Sequence, residues 1–370
     1  TFKGGSDPYG GGVSIENCSP SLVDLIIEGN NSEIGGGLYL SQSDAILKNL
    51  IIRDNTANLG GGLYVTNGEP YIENLTLENN IAYWGGGAYF ENANPILDQG
   101  KVTNNQALIE GAGLYIYGGN SQLDWISFEL NNGFDFGGGL VANQAIIDLD
   151  QATFTGNISG VGSALALYGS VLTLKNSILW GNDGPLFYIP ETGGVTTLGI
   201  EFSDIQGGEN ILYEFSNLIL TDIISIIDID PQFCDPSNKL FNLQEGSPCL
   251  YSSSEGGAIG AYDFYCDFVS LNGNKIQPDI FELNQNYPNP FNPVTKISFF
   301  VPKNRLYTFN VFDLRGKLIK SLDKGFGGDQ LKKISWNGTD NNGEKIPSGM
   351  YLGTLEMDGQ SKNIKMLLLK

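Results

Sequence analysis

A glycine triplet that returns every 25 or 26 residues constrains this 370-residue chain more than any other feature. It stands at 10–12, 35–37, 60–62, 85–87 and 137–139, with Gly111-Ala112-Gly113 and Gly162-Ser163-Ala164 at the remaining places. Asparagine keeps the same beat at Asn30, Asn55, Asn80, Asn105, Asn132, Asn157 and Asn182. Two markers in phase over seven copies define a solenoid, in which each copy is one unit stacked on the next.

The period inside each copy selects the kind of solenoid. After the glycines, apolar residues alternate: Leu38/Leu40, Leu63/Val65, Ala88/Phe90, Leu114/Ile116, Leu140/Ala142 and Leu165/Leu167. That is a strand with one buried face. A second inward place is Leu47, Ile72, Leu97, Leu123, Leu149 and Leu174; two residues on stand Asn49, Asn74, Gln99, Trp125, Gln151 and Asn176. Inward parity resets just after that place, so a tight bend is predicted there, with amides bonding up the stack. Each copy reads as three short strands around a triangular coil, and the glycines as carriers of backbone angles that a Cβ forbids. The predicted fold is a parallel β-helix, right-handed by the general preference for right-handed crossovers. It is regular over about residues 10–185 and less regular to about 265.

The charge balance narrows the function. Lys+Arg is 20 and Asp+Glu 41, giving a formal net charge of -21. Nucleic acid is excluded as a partner, because phosphate binding needs basic residues. With no histidine, His-based triads, His-ligated zinc and haem on His are excluded. No apolar run has the roughly 18–20 residues that span a bilayer. Thr1 to Gly12 reads like the end of a repeat, so further sequence upstream is expected. The four cysteines, Cys18, Cys234, Cys249 and Cys266, allow three connectivities. The short separation favours Cys234–Cys249, with four buried thiols as the alternative.

Composition changes near residue 280. Residues 281–370 carry 13 basic and eight acidic residues, whereas 1–280 are net -26. Strand-like runs at 296–301, 307–314, 317–322, 331–336, 350–357 and 364–369 are separated by turn signals, which predicts a small Ig-like β-sandwich. The chain therefore divides into a β-helix over 1–266, a linker over 267–280 and a sandwich over 281–370. The fold class is all-β, a parallel β-helix solenoid followed by a small Ig-like β-sandwich.

Three resemblances follow from these residues. GGGLYL and GGGLYV, with FTGN and LWGN, resemble the GGA(I/L) and FxxN repeats of polymorphic outer membrane proteins. SDIQGG, IDIDPQFCDP, FNLQEGSPC and AIGAYD are similar to the closing segment of bacterial extracellular β-helix proteins. QNYPNPFNPVTKISF, VFDLRGKLI, WNGTDNNGEKIPSGMYL and the terminal KMLLLK resemble the type A sorting domain of the type IX secretion system of Bacteroidota. This last resemblance implies handling by the type IX machinery through residues 281–370. It also implies removal of the tail, and a protein secreted to, or held on, the outer-membrane surface of a Gram-negative bacterium.

Two outward columns are candidate sites. Lys48, Glu73, Asp98, Asp124, Asp150 and Lys175 share one position, with carboxylates about 4.8 Å apart. Such a column of oxygens can hold Ca²⁺, the one candidate cofactor, in Glu73, Asp98, Asp124 and Asp150. Repulsion of about 0.9 kcal/mol per neighbouring pair does not require an ion, so a solvated acidic face is the alternative. The second column is Tyr39, Tyr64, Tyr89 and Tyr115, with Trp84 and Tyr117 nearby, which can receive sugar rings or merely stack. A polyuronate-cleaving site needs a basic residue to take the proton, and the acidic β-helix offers only Lys3, Lys48, Arg53, Lys101, Lys175 and Lys239; Asp148 with Asp150 is the tight carboxylate pair within a repeat. The reading favours a non-enzymatic surface passenger, adhesive or structural, with glycans or other surface proteins as partners. The alternative is a protein that binds or degrades polysaccharide. Because a polar linker is where chains are nicked most readily, the mature form is expected to end between about Cys266 and Leu283. Mass spectrometry of protein released from native cells checks this; a mature species ending in KMLLLK contradicts the sorting role.

Overall fold

A computed structural model describes residues 1–262, 266, 282–301, 305–327, 331–357 and 360–369; the linker expected at 267–280 lies outside the described residues. The chain falls into two compact units, Thr1–Cys266 and Asp267–Lys370. The first is a parallel β-solenoid of about nine turns. Like positions pair directly: Leu38, Leu63, Ala88, Leu114, Leu140 and Leu165 are successive partners along one sheet. All six are fully buried, and the interior is a continuous aliphatic column with Phe128 stacked on Phe154 at 4.3 Å.

The predicted bend is present. Asn49, Asn74, Gln99, Trp125, Gln151 and Asn176 all have φ between 47° and 65°, the left-handed region that resets inward parity. The residues on either side form one bent strand, as in Ile46–Arg53, Tyr71–Glu78 and Ile96–Thr103, within a 14-stranded sheet. Leu38–Ser41, Leu63–Thr66 and their equivalents form an eight-stranded sheet. The middle coils hold a further side that the three-strand reading omitted. Ile81–Trp84, Gln106–Glu110, Asn132–Phe136 and Ile158–Val161 pair as a four-stranded sheet. Its inward partners are Ala82, Ala107, Gly133 and Ser159, too small to read as a hydrophobic alternation.

The three glycines of a triplet serve two different ends. Only the first, such as Gly60 (φ 62°), occupies the left-handed region. At Gly61 an added Cβ would sit 2.5 Å from the carbonyl oxygen of Gly86 in the next coil, and at Gly62 2.6 Å from that of Gly87. The second and third glycines are thus required by the closeness of adjacent coils, not by backbone angle.

The asparagine beat is a buried ladder. Asn80 Nδ2 donates to Asn105 Oδ1 (3.1 Å) and to the Ile52 carbonyl (2.9 Å), while its Oδ1 accepts from the Asn55 backbone N–H and side-chain amide, both at 3.1 Å. The same pattern links Asn30, Asn55, Asn80, Asn105, Asn131, Asn157 and Asn182. The rung in the fifth place is Asn131, which is fully buried; Asn132, expected there from the beat, points to solvent. A second, exposed ladder at the bend runs from Asn74 Nδ2 to Asn49 Oδ1 and from Asn49 Nδ2 to Asp24 Oδ1.

The closing segment does not continue the coil but folds back along its outside. Gly260 N–H donates to the Asn176 carbonyl (2.7 Å), Ala261 N–H to Thr153 Oγ1 (2.8 Å) and the Tyr262 hydroxyl to Ser127 Oγ (3.0 Å). Three consecutive residues thereby descend three coils. Phe233, Phe241, Leu243, Leu250 and Ile259 gather over Ile178 as a separate core, because the solenoid interior is already full. The disulfide joins Cys234 to Cys266, with Cα atoms 5.3 Å apart, and not to Cys249 as the spacing suggested. The fold-back carries Cys266 to Cys234, while the turn Pro248–Tyr251 buries Cys249 as a free thiol.

The second unit is a small β-sandwich. Glu282–Leu283, Thr295–Phe300 and Leu331–Trp336 form one antiparallel sheet; Leu318–Phe326, Leu306–Asp313, Gly349–Met357 and Gln360–Leu368 form the other. Phe291, Phe299, Phe309, Trp336 and Met366 are central to its core.

Asn80→Ala should destabilise the solenoid by about 2–6 kcal/mol, since it strands at least two buried polar groups at roughly 1–3 kcal/mol each. Asn74→Gly, in the exposed ladder at a left-handed position, should be close to neutral. Urea unfolding of the two variants compares them; equal effects would contradict a ladder-bearing core.

Candidate functional site

The acidic column stands in the expected register: Lys48, Glu73, Asp98, Asp124, Asp150, Lys175 and then Glu201. Its ends are closed by ion pairs, Lys48–Glu73 at 2.9 Å and Lys175–Glu201 at 3.0 Å. Within it, Gln122 Nε2 donates to Asp124 (2.9 Å) and Asn176 Nδ2 to Asp150 (2.7 Å). Burial, then the like charges of Asp124 and Asp148, push the Asp150 carboxyl up to about 6 against the pull of Asn176. Asp148 and Asp150 both face outward, on either side of the buried Leu149. Among the described residues no three acidic side chains converge as a cation site.

The aromatic column is also in register, on the outer face of the eight-stranded sheet. Tyr39–Tyr64, Tyr64–Tyr89 and Tyr89–Tyr115 stack with centroids 5.6, 5.4 and 4.8 Å apart and planes within 22°. Stacking occupies the ring faces of Tyr64 and Tyr115, which are only 5% and 6% exposed. The column then meets two small residues, Val141 and Ala166, and the side chains of Tyr168 and Tyr188 close over them.

Beside this column is a group that sequence reasoning missed. Glu110 lies on the four-stranded sheet between its partners Trp84 and Phe136, all three half-buried. The Tyr168 hydroxyl donates to Glu110 Oε1 at 3.2 Å, and Tyr115 also bonds the carboxylate. Asn143 Nδ2 donates to the Tyr115 oxygen at 3.1 Å. Desolvation raises the Glu110 carboxyl above its usual range, against the two tyrosine hydrogen bonds. On the other side of the column Tyr64 donates to Glu91. The signal for this cluster was spread over several repeats, so no local motif carried it.

The C-terminal unit carries an open cleft of about 680 Å³, lined among others by Asp313, Arg315, Lys317, Asp340, Asn341 and Tyr351. These belong to the VFDLRGKLI and WNGTDNNGEKIPSGMYL stretches, which converge there. Residues 285–370 match the family described as secretion system C-terminal sorting domain. The C-terminal unit is a type IX sorting domain. Its turns are built by carboxylates: Asp313 Oδ1 accepts from the backbone N–H groups of Arg315 and Lys317, and Asp340 Oδ1 from those of Asn342 and Glu344, all at 2.9 Å. No curated protein matches the chain. Among solved structures, dimeric latent PorU from Porphyromonas gingivalis is similar at 24% identity over 26% of this chain, with a TM-score of 0.22. The match spans 10% of that protein. The sorting domain indicates a secreted protein, and among the described residues no helix is long and apolar enough to cross a membrane.

Under the fold-back segment the free Cys249 thiol donates to Asp204 Oδ2 at 3.2 Å, and the Ile229 N–H donates to Oδ1 at 3.2 Å. Burial pushes the Asp204 carboxyl up to about 6 and raises the Cys249 thiol far above its ordinary range. A carboxyl raised by folding binds its proton more tightly in the folded state. The stability it contributes is therefore full below about pH 4 and lost as pH rises to about 6. Asp150 acts in the same sense. The solenoid is expected to melt at a higher temperature at pH 4.5 than at pH 7. Asp204→Asn with Asp150→Asn should flatten that dependence; an unchanged slope in the double variant would contradict it.

Proposed function

We propose that this protein is a passenger of the type IX route whose solenoid acts outside the cell as an adhesive or structural element, with the aromatic face as its contact surface. The observation that carries the reading is the half-exposed aromatic face itself. Trp84, Tyr89, Tyr117, Phe136, Tyr168 and Tyr188 are displayed in and around an in-register tyrosine stack, on a chain whose tail is a sorting domain. A contiguous group of half-exposed aromatic side chains on a regular scaffold is a mark of a recognition surface. The acidic remainder of the solenoid keeps that surface from clustering non-specifically with other anionic surfaces.

A polysaccharide-degrading role draws its support from Glu110, because a carboxyl with a raised pKa is suited to general acid catalysis. One comparison separates the two. Cells lacking residues 285–370 of this protein should lose its surface display, and cells lacking the solenoid should adhere less well to a glycan-coated support. Purified protein incubated with a polysaccharide panel should retain sugar without releasing any. Released reducing ends would overturn the adhesive reading in favour of the enzymatic one, and unchanged adherence would overturn it outright.

A further inference from the structure

The described basic side chains of the solenoid all lie away from its aromatic face. Lys3 and Arg53 pair with Glu28, Lys48 with Glu73, Lys101 with Glu129 and Lys175 with Glu201, at 2.7–3.3 Å, and Lys239 bonds Asn104. Glu91 and Glu110 differ. Among the described residues neither has a basic side chain within ion-pair range; their partners are tyrosine hydroxyls, Tyr64 on Glu91 and Tyr115 and Tyr168 on Glu110. Tyr89 stands between them and feels the charge of both. The face therefore combines half-buried rings with two carboxylates whose charge no protein cation offsets.

That combination attracts an organic cation in two ways. The partly desolvated carboxylate acts as counter-ion, and the π-systems of Trp84 and Phe136 on either side of Glu110 favour a positive group over their faces. An acidic polymer is disfavoured by the same charges, in a segment that is net -26 over residues 1–280. Rings stack through four successive coils from Tyr39 to Tyr115 and return at Tyr168 and Tyr188, which suits a chain of repeating units better than a single small head group. We propose that the aromatic face binds an amine-bearing glycan, with Glu110 and Glu91 receiving its ammonium groups. The proposal rests on the reading of the solenoid as an extracellular binding element and names the ligand class for it.

The test is calorimetric titration of the full chain with a trimer of β-linked glucosamine and with its N-acetylated counterpart, which has the same sugar backbone with each amine capped and uncharged. The free-amine trimer should bind at least about tenfold more tightly. Glu110→Gln, which keeps a hydrogen-bond acceptor for Tyr168, should bring the two ligands to within about twofold while leaving the melting temperature unchanged. Glu255→Gln, an exposed acid of the closing segment next to Ser254, which bonds Asn176 at the bend, should leave the preference intact. If Glu110→Gln does not fold, Trp84→Phe supplies the second variant, with weaker binding of the free-amine trimer expected. Three results overturn the proposal: no heat with the free-amine trimer, equal affinity for the N-acetylated one, or equal loss in Glu255→Gln, which would mean attraction by net charge alone. Any of these alongside a persisting adherence defect in solenoid-less cells removes the ammonium site and leaves the adhesive reading standing.

Discussion

Adjacent coils are held one strand spacing apart, about 4.8 Å, and every other property of the solenoid answers to that spacing. It is short enough that a methyl group at Gly61 or Gly62 has nowhere to go, since the carbonyl oxygen of the next coil already occupies the place. It also suits an asparagine that must reach its copy in the next coil, so that Asn30 to Asn182 can satisfy one another and the turn backbone in a dry interior. Glycine and asparagine keep time together because they meet the same distance from opposite directions. One tolerates the approach, and the other uses it.

Such regular stacking turns each outward residue type into a column, and columns concentrate whatever they carry. Carboxylates repel their neighbours, and the solenoid answers with Lys48 and Lys175 as terminal pairs, with the amides of Gln122 and Asn176, and with a raised pKa at Asp150. Tyrosines in the same geometry attract, and four of them stack into a single rib. The outcome is two unlike surfaces: an acidic flank with lysine pairs at its ends, and a face of rings with two carboxylates among them.

Periodic features were legible in the sequence because a period states its own geometry. The alternation after each glycine triplet, the parity reset at Asn49 and Asn74, and the sandwich strands after residue 295 all describe local backbone behaviour, and the structure shows them. Features made by the path of the chain were not legible. The short interval between Cys234 and Cys249 suggested a bond, but the fold-back from Gly260 to Tyr262 brings Cys266 to that place. Asn131 and Asn132 are indistinguishable by type, and only the register of an insertion in that coil decides which one turns inward. The cluster around Glu110 drew its residues from several repeats, among them Trp84, Tyr115, Phe136, Asn143 and Tyr168, and a reading column by column could not assemble a site that crosses columns. A fourth side built on Ala82 and Ala107 escaped because small inward residues leave no hydrophobic signature.

The bond between Cys234 and Cys266 closes a loop across 32 positions of sequence and ends at the last described residue of the first unit. Everything before it in that loop, including the segment that hydrogen-bonds Asn176, Thr153 and Ser127, is thereby anchored at both ends. An exopeptidase nibbling inward from any new terminus beyond Cys266 would meet a cross-linked residue before it reached the chain that seals the flank. Even a backbone nick within the loop would leave both fragments attached. The sorting domain indicates a secreted protein, and outside the reach of cellular reductants the solenoid's closing seam is locked covalently.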